Sequence, residues 1–365
     1  MGRLLRQYWQ PVAVSEDVPA GKAVPVRILN EELTLYRGRS GQPYLVAGRC
    51  AHRCAVLHIG WVEGEEIRCR YHGWKYAGDG RCVEMPAEDP SFPPKVRVAG
   101  YPAADYAGLV FAFMGEGEPP PLPRKAELDR DYGVKWTEVK VWPCNSFQRL
   151  ENAVDPVHVS FVHRGSDFGA AVSGLVPTIE VEETEWGLRS RAYRSPDNVR
   201  VNELHWPNCI HIATPVLRDL PRDHPWSDLF NWYVPVDDET SVLYSARCAP
   251  IRGELARAFE ERLPPHRYYN PADEAEALFS GQKAPEDAID PVAAQDYIVV
   301  AGQGVALDRA HERIGRSDAA ILLLRRLYRA EMDALARGVP GKAWQPKTGF
   351  SHLPLPPGVP AAPER

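Results

Sequence analysis

The sequence predicts an α+β protein of two unequal domains, an all-β domain followed by a larger one that combines an antiparallel sheet with a few helices. The chain has 365 residues, which is more than a domain built around one hydrophobic core usually contains. Short strand patterns fill its first third, and longer strand patterns mixed with helical ones fill the remainder. A proline-rich connector, residues 115–123, lies between them. We therefore predict domains at residues 1–117 and 118–345, followed by a proline-rich tail at 346–365.

The local patterns place the elements of both domains. In the first domain, apolar runs between polar turns predict strands at 24–29, 32–37 and 43–48, and Gly78 and Gly80 predict a hairpin. In the second domain, strands are expected at 178–184, 187–194, 201–206, 209–215 and 241–250. Helices are expected around 148–163, 253–263 and 318–337, the last with Ser317 as its N-cap. The tail is expected to lie extended on the surface.

Composition excludes several classes of protein. A net charge of −6, with no basic stripe, argues against a nucleic-acid partner. Seven cysteines, an odd number, offer no tidy disulfide framework, so a reducing cytoplasm is the expected location. Arg3 and Arg6 interrupt the start of the chain, so no signal peptide is evident. No stretch approaches the roughly 18 apolar residues of a membrane span.

The most informative stretch, residues 50–74, predicts a metal site. It contains two short arms, each with one cysteine and one histidine: Cys50 and His52, then Cys69 and His72. Two thiolates and two imidazoles suit a [2Fe–2S] cluster in which the cysteines hold one iron and the histidines the other. A structural zinc site is the alternative, although zinc arms usually pair like with like. Cys54 lies close to the first arm, and we expect it to be a small buried residue.

A second motif predicts a mononuclear metal site. Residues 148–163 contain Asp155, His158 and His163. Two histidines and one carboxylate leave open positions on a metal, the ligand set of non-haem Fe(II) enzymes that activate oxygen. On a helix, Asp155 and His158 would share a face, and the spacing of the histidines predicts that the helix bends or ends near Phe161. The alternative is that the histidines merely fill a core.

Together the two motifs make the chain resemble the catalytic subunits of Rieske non-haem iron oxygenases, in particular the phthalate dioxygenase-like branch. The resemblance runs from about Leu4 to about Leu335 and includes residues 230–240 and 302–326. It implies a helix-grip fold for the second domain, Fe(II) and O2 in addition to the cluster, and Asp318 as the third iron ligand. It also implies that Asp155 connects His72 of one subunit to His158 of the next within a homotrimer.

The resemblance further implies electron supply from a separate partner. The chain has no complete dinucleotide-binding glycine motif. NAD(P)H would therefore act only through a reductase that carries flavin and its own iron–sulfur cluster. The expected reaction is hydroxylation or dihydroxylation of an aromatic substrate, with aromatic acids and ethers as the first candidates. O- or N-demethylation is the alternative within the family. A Rieske electron-transfer protein and a zinc-stabilised binding module are the alternatives outside it, and iron and sulfide content separates them.

The substrate pocket is expected along the strands of the second domain. The candidate lining residues are Asn152, Asn202, His205, Asn208, Ile210 and Ile212. For His205, a simple role in the strand or pocket wall is the alternative. Arg200 and Arg247 could pair with a substrate carboxylate, with a surface salt bridge as the alternative for each.

Overall fold

The computed structural model describes residues 1–164, 174–196, 198–214, 226–263 and 269–351. The chain separates into two units, Met1–Leu122 and Pro123–Arg365. The boundary lies inside the proline-rich connector, a few residues after the predicted one. Within the described ranges, no helix is both long enough and apolar enough to cross a membrane.

The first unit consists of three small antiparallel sheets after one short helix. Its elements are α1 (Gly2–Leu5), β1 (Gln10–Val14), β2 (Ala23–Ile28), β3 (Glu31–Arg37), β4 (Pro43–Ala47), β5 (Trp61–Glu63), β6 (Glu66–Arg68), β7 (Lys75–Tyr76), β8 (Cys82–Glu84), β9 (Gly100–Tyr101), β10 (Ala103–Tyr106) and β11 (Leu109–Ala112). The strand orders are β1-β11-β10, β2-β3-β4-β9 and β5-β6-β7-β8. The three predicted strands are β2, β3 and β4, and the predicted hairpin joins β7 to β8.

The β5–β8 sheet encloses a core that lies directly beneath the cysteine–histidine arms. Leu57, Ile67 and Tyr76 are fully buried there, and Trp74 is nearly so. Gly80 turns the hairpin with φ +83°, and a Cβ at this position would lie 2.1 Å from the carbonyl oxygen of Val98. Only glycine fits both the left-handed backbone and this close approach. The fold thus provides a rigid apolar base for two metal-binding loops.

The second unit contains a single antiparallel sheet of seven strands, which confirms the predicted α+β class. Its strands are β12 (Val134–Trp142), β13 (Thr178–Glu183), β14 (Gly187–Ser195), β15 (Asn198–His205), β16 (Cys209–Thr214), β17 (Ser227–Pro235) and β18 (Ser241–Ala249). Their order is β12-β18-β17-β16-β15-β14-β13. Its helices are α2 (Ser146–Val154), α3 (His158–Val162), α4 (Gly253–Glu260), α5 (Ala275–Phe279), α6 (Pro291–Ala301) and α7 (Ala319–Ala336).

The two faces of this sheet have different roles. Leu204, Ile210 and Asn231 are paired across β15, β16 and β17, so their side chains share one face. Asn202 lies on the same face and donates to the backbone oxygen of Ala153 in α2, 3.3 Å away. We call this the helix face. Side chains one residue along, such as His205, point to the second face.

The chain after residue 345 packs on the second face, which corrects part of the tail prediction. The ammonium group of Lys347 lies 2.6 Å from the Glu203 carboxylate, and Ser351 donates to the same carboxylate at 2.9 Å. Lys347 is only 8% exposed, so residues 346–351 are not a loose surface extension. The rest of the predicted tail, 352–365, lies outside the described residues.

The predicted helix at 148–163 is interrupted earlier than expected. Helix α2 ends at Val154, and Asp155 has the extended ψ of 113°. Pro156 explains the break, because a proline disfavours helical backbone in the residue before it and lacks the N–H that a helix interior requires. Asp155 and His158 therefore do not share a face of one helix. Instead His158 begins α3 and His163 follows its end.

Candidate metal centres

The four ligands predicted in residues 50–74 meet above the β5–β8 sheet. Cys50 and Cys69 are each only 2% exposed. The imidazole rings of His52 and His72 have their centroids 4.5 Å apart, and His52 stacks on Trp74 at 4.5 Å with an interplanar angle of 11°. Burial raises the pKa of the Cys69 thiol, and the adjacent Cys50 adds to this. Bound metal would reverse this effect by favouring the thiolate.

The two arms are closed by matching turns. The N–H of Cys54 donates to the Cys50 carbonyl at 3.0 Å, and that of Gly73 donates to the Cys69 carbonyl at 3.1 Å. Both turn residues have positive φ, +57° for Cys54 and +75° for Gly73. The expectation that Cys54 is buried was wrong, because this left-handed turn leaves it exposed. The left-handed backbone conformation at this position is strained for a cysteine and would not be strained for a glycine.

The arrangement of the four donors separates a two-metal cluster from a single zinc ion. A tetrahedral zinc site holds all four ligand atoms within roughly 4 Å of one another. Among the described residues, several groups of three or more donor atoms lie within 4.8 Å of one another, but none includes a ligand of these arms. The cysteines and the histidines thus form two separate pairs, as a [2Fe–2S] cluster requires.

Tyr76 supports the cysteine pair from below. Its hydroxyl oxygen lies 3.1 Å from Cys50 Sγ and 3.1 Å from the backbone nitrogen of Ala51. Because the Ala51 N–H donates to this oxygen, the hydroxyl proton is available to the sulfur. Tyr76 is fully buried, so water does not compete for this hydrogen bond.

In the second unit, both histidines of the second motif are held in the state that binds metal. The Nδ1 of His158 lies 2.5 Å from the carbonyl oxygen of Asp155, which can only accept, so Nδ1 carries the proton and Nε2 is free. The Nδ1 of His163 lies 3.0 Å from Oε1 of Gln295, so this Nδ1 also carries the proton and leaves the lone pair on Nε2. Burial lowers the pKa of His163 and keeps its imidazole neutral, the form that binds metal.

The carboxylate that joins these histidines is Asp296, not Asp318. Oδ1 of Asp296 lies 3.7 Å from His158 Nε2 and 3.4 Å from His163 Nε2, and these three residues form one of the described donor clusters. These separations are close to the roughly 3 Å between neighbouring ligands of one metal ion. Two imidazoles and a carboxylate fit Fe(II), which favours this mixed nitrogen and oxygen set. Asn152 donates to Oδ1 at 3.2 Å and orients the carboxylate.

Asp318 has a different task. Its Oδ2 accepts from the backbone N–H of Gly315 at 2.6 Å, which closes the turn before α7. No described donor cluster contains it. Neither Ser317 nor Asp318 makes a side-chain capping bond to α7 itself. The prediction of Asp318 as the third ligand was therefore wrong.

Helix α6, which carries Gln295 and Asp296, was not predicted from the sequence. Its start does have a signal. Asp290 is the N-cap and accepts from the N–H of Ala293 at 3.0 Å, and Pro291 occupies the first turn. An aspartate followed by proline before a run of helix-forming residues marks a helix start. That signal would have placed Asp296 on a helix, but it does not show that this helix lies next to the histidines.

Asp155 lies where the chain turns between α2 and α3. Its carboxylate accepts from the N–H of Val157 at 2.7 Å, while its carbonyl holds His158. Burial raises the pKa of the carboxyl group. Its predicted partner His72 belongs to the other unit. The predicted carboxylate bridge between histidines remains a prediction.

The predicted pocket residues divide between the two faces of the sheet. Asn202, Ile210 and Ile212 lie on the helix face, as a pocket next to α2 requires. Asn208 is buried in the turn after β15 and donates to the carbonyl of Tyr233 at 2.8 Å, so its role is structural. His205 points to the second face, where its Nδ1 lies 2.7 Å from the Lys125 ammonium group. Alternation along β15 thus places His205 on the opposite face from Asn202, so the two cannot line the same side of the sheet.

Comparison with known proteins agrees with the first of these sites. Residues 8–102 match the model of the Rieske [2Fe–2S] domain. The oxygenase subunit of 5,5'-dehydrodivanillate O-demethylase from Sphingobium sp. is 30% identical over 94% of this chain and 79% of its own length. Phenoxybenzoate dioxygenase subunit alpha from Ectopseudomonas oleovorans is 31% identical over 92% and 83%, respectively. The oxygenase in the oxygenase–ferredoxin complex of carbazole 1,9a-dioxygenase has a TM-score of 0.66 with 18% identity, over 93% of this chain and 94% of that one.

The fold, the paired cysteine–histidine arms and these relatives define the class: the chain belongs to the Rieske-type oxygenases. Within that class it is similar over nearly its whole length to the oxygenase, or alpha, subunits. It is therefore an enzyme subunit that combines a [2Fe–2S] domain with a catalytic domain, and not a Rieske electron carrier alone.

Proposed function

We propose that this chain binds one mononuclear Fe(II) through His158, His163 and Asp296, and uses O2 and externally supplied electrons to hydroxylate or dihydroxylate an aromatic substrate. The observation that carries the proposal is the convergence of the Nε2 atoms of two histidines and one carboxylate oxygen. When bound, such an iron supplies oxygen activation at its open positions, and the Rieske cluster supplies single electrons.

The residues around this ligand set fix its geometry before metal binds. The Asp155 carbonyl and the Gln295 amide oxygen each accept a hydrogen bond from an Nδ1–H and thereby hold the two histidines in one tautomer. Asn152 holds Asp296, and Gln295 is held in turn by Glu286, whose carboxylate accepts from Nε2 at 3.0 Å. A polar shell of this kind prevents the ligands from rotating away, so little reorganisation is needed on binding.

For electron entry, we propose that the Asp155 carboxylate connects His158 to His72 of a neighbouring copy in a homotrimer. The support is its position: the carboxylate is largely buried beside His158, and within the described residues it makes hydrogen bonds only to backbone N–H groups of its own turn. A carboxylate can accept further hydrogen bonds. We expect Asp155→Ala to keep both metals and the trimer but to stop turnover. Normal turnover in that variant contradicts the bridge.

The reductant is proposed to be a separate flavin and iron–sulfur reductase fed by NAD(P)H, with or without an intermediate ferredoxin. The oxygenase of carbazole 1,9a-dioxygenase, which shares this fold, forms a complex with a ferredoxin, so a similar partner is reasonable here.

The reaction type has one specific alternative, O-demethylation. One relative is named as an O-demethylase and another as a dioxygenase, so both outcomes are compatible with the same metal sites. Turnover of a methoxylated aromatic acid separates them: demethylation releases formaldehyde, whereas ring hydroxylation does not.

The first experiment measures iron and acid-labile sulfide per chain after anaerobic reconstitution with Fe(II). We expect about three irons and two sulfides in the wild type, and about two irons with two sulfides in His158→Ala. Two irons in both proteins contradict the mononuclear site. Zinc without sulfide contradicts the whole assignment.

A further inference from the structure

The helix face of the sheet carries a half-buried arginine that has no acidic partner among the described residues. Arg200 lies on β15, two residues before Asn202 and therefore on the same face. Its guanidinium carbon is 4.1 Å from the centroid of the Trp226 ring, and its buried Nη1 has no hydrogen-bond partner among the described residues. Burial lowers the pKa of Arg200 to about 10, and the only charge that adds to this is the cation of Arg194.

Apart from Arg194, the other arginines on the described strands of this sheet are paired with carboxylates. Arg189 pairs with Glu203 at 2.7 Å, Arg191 with Glu182 at 2.9 Å and Arg247 with Glu138 at 3.0 Å. The salt bridge predicted as the alternative role of Arg247 thus agrees with its contacts. The salt bridge predicted as the alternative role of Arg200 does not agree with its contacts among the described residues. An unpaired cation out of water is costly, and a structural role would normally give it a counter-charge.

Arg200 lies near Arg194, and Arg194 contacts the segment that carries His158. Arg194 donates to the carbonyl of Pro156 at 2.8 Å and to the hydroxyl of Ser160 at 3.2 Å, on either side of His158. Both acceptors are neutral, so the charge of Arg194 is not cancelled and adds to the positive charge of Arg200. The region next to α3 therefore presents two arginines and no described carboxylate paired with either.

A second buried arginine, Arg149, is a weaker candidate for the same role. It lies 3.7 Å from the ring centroid of Trp142 and 5.3 Å from that of Tyr233, and its charge is opposed by Asp296. Arg200 has no such acid. A guanidinium stacked on an aromatic ring keeps its in-plane N–H groups free, and these match a carboxylate in two parallel hydrogen bonds.

We propose that Arg200 binds a carboxylate on the aromatic substrate and thereby selects aromatic acids over their neutral analogues. This inference rests on the proposed oxygenase function and adds the chemical class of the substrate. The bound anion would supply the counter-charge that the fold withholds, in a region next to His158.

The test is calorimetric binding to the metal-loaded full chain, kept anaerobic and without reductant so that nothing turns over. The probes are four matched pairs of an acid and its primary amide, built on benzoate, phthalate, 4-methoxybenzoate and 3-phenoxybenzoate. At least one acid should bind the wild type more tightly than its amide, by roughly 10- to 100-fold, the range for hydrogen bonds to a charged group. Arg200→Met should abolish this preference, and Arg200→Lys should keep part of it.

Arg191→Met is the matched control, because it removes the same charge from the adjacent strand and the opposite face. It should keep the preference for acids. If no acid binds more tightly than its amide, or if the preference survives in Arg200→Met, the inference is wrong. A merely structural Arg200 would lower the melting temperature when replaced and leave the acid-to-amide ratio unchanged. Iron and sulfide counts on the same samples separate this failure from failure of the proposed function.

Discussion

The hydroxyl of Tyr76 should set part of the reduction potential of the Rieske cluster. It donates to Cys50 Sγ across 3.1 Å in a site that excludes water. A hydrogen bond to a ligand sulfur withdraws electron density and favours the reduced cluster, so Tyr76→Phe should lower the potential. If the bond differs between oxidation states by its usual net worth of about 0.5–1.5 kcal/mol, the change is about 20–60 mV for one electron.

The assay is a potentiometric titration of the intact protein, followed by circular dichroism or paramagnetic resonance of the cluster. Tyr36→Phe is the matched control, because Tyr36 is equally buried in the same core but donates to the Glu65 carbonyl at 3.1 Å. Both variants should lose about 1 kcal/mol of stability from the missing hydrogen bond. Only Tyr76→Phe should shift the potential. Equal potentials in the two variants, or a higher one in Tyr76→Phe, refute the reasoning.

Two further predictions concern the second unit. Asp296→Ala should lose about one iron per chain and keep the sulfide, whereas Asp318→Ala should retain both; equal iron in the two variants contradicts the ligand assignment. The contributions of His205 and His211 together should make the unfolding free energy greatest near pH 6.5. Burial lowers the pKa of His205 well below its ordinary value, so stability falls as the pH drops below 6.5, by at most about 1.4 kcal/mol per unit. Burial also lowers the pKa of His211, but the hydrogen bonds to Asp228 and Glu203, together with the nearby negative charges, outweigh burial and raise the pKa, so the stabilisation from His211 is lost as the pH rises through the folded value. Urea denaturation of wild type and His205→Gln between pH 5 and 8.5 checks this, since the acid limb should flatten in the variant.

The parts of the site that depend on local spacing could be predicted from the sequence. The two arms and His158 with His163 are each confined to a short stretch, so the ligand types and their separations indicate the metal directly. The strands that were predicted lie close to observed ones, because alternation of apolar residues is a local pattern, although β12 and β17 were not among them. The break at Pro156 follows equally from local chemistry, and only its position was misjudged.

The third ligand could not be found in this way, because it reaches the histidines only through tertiary structure. Asp296 is more than 130 residues from His163 in the sequence, on a helix that is apolar on most sides. Asp318 was chosen from the family resemblance, which implies a carboxylate ligand on the late helix. The same limit explains His205: a strand pattern shows that alternate residues share a face, but not which of the two faces covers the metal.

Helix α6 joins the sheet to the metal site, which explains how a site made from distant segments is held precisely. At its first turn, the Asp290 carboxylate lies 2.6 Å from the ammonium group of Lys140 on β12. One turn further on, Gln295 fixes His163 and Asp296 faces both histidines. Removing Lys140 would leave the half-buried Asp290 without this cation and so weaken the start of the helix. The position of the metal carboxylate therefore depends on an ion pair at the start of the same helix, so a change on the sheet can disturb metal binding without touching a ligand.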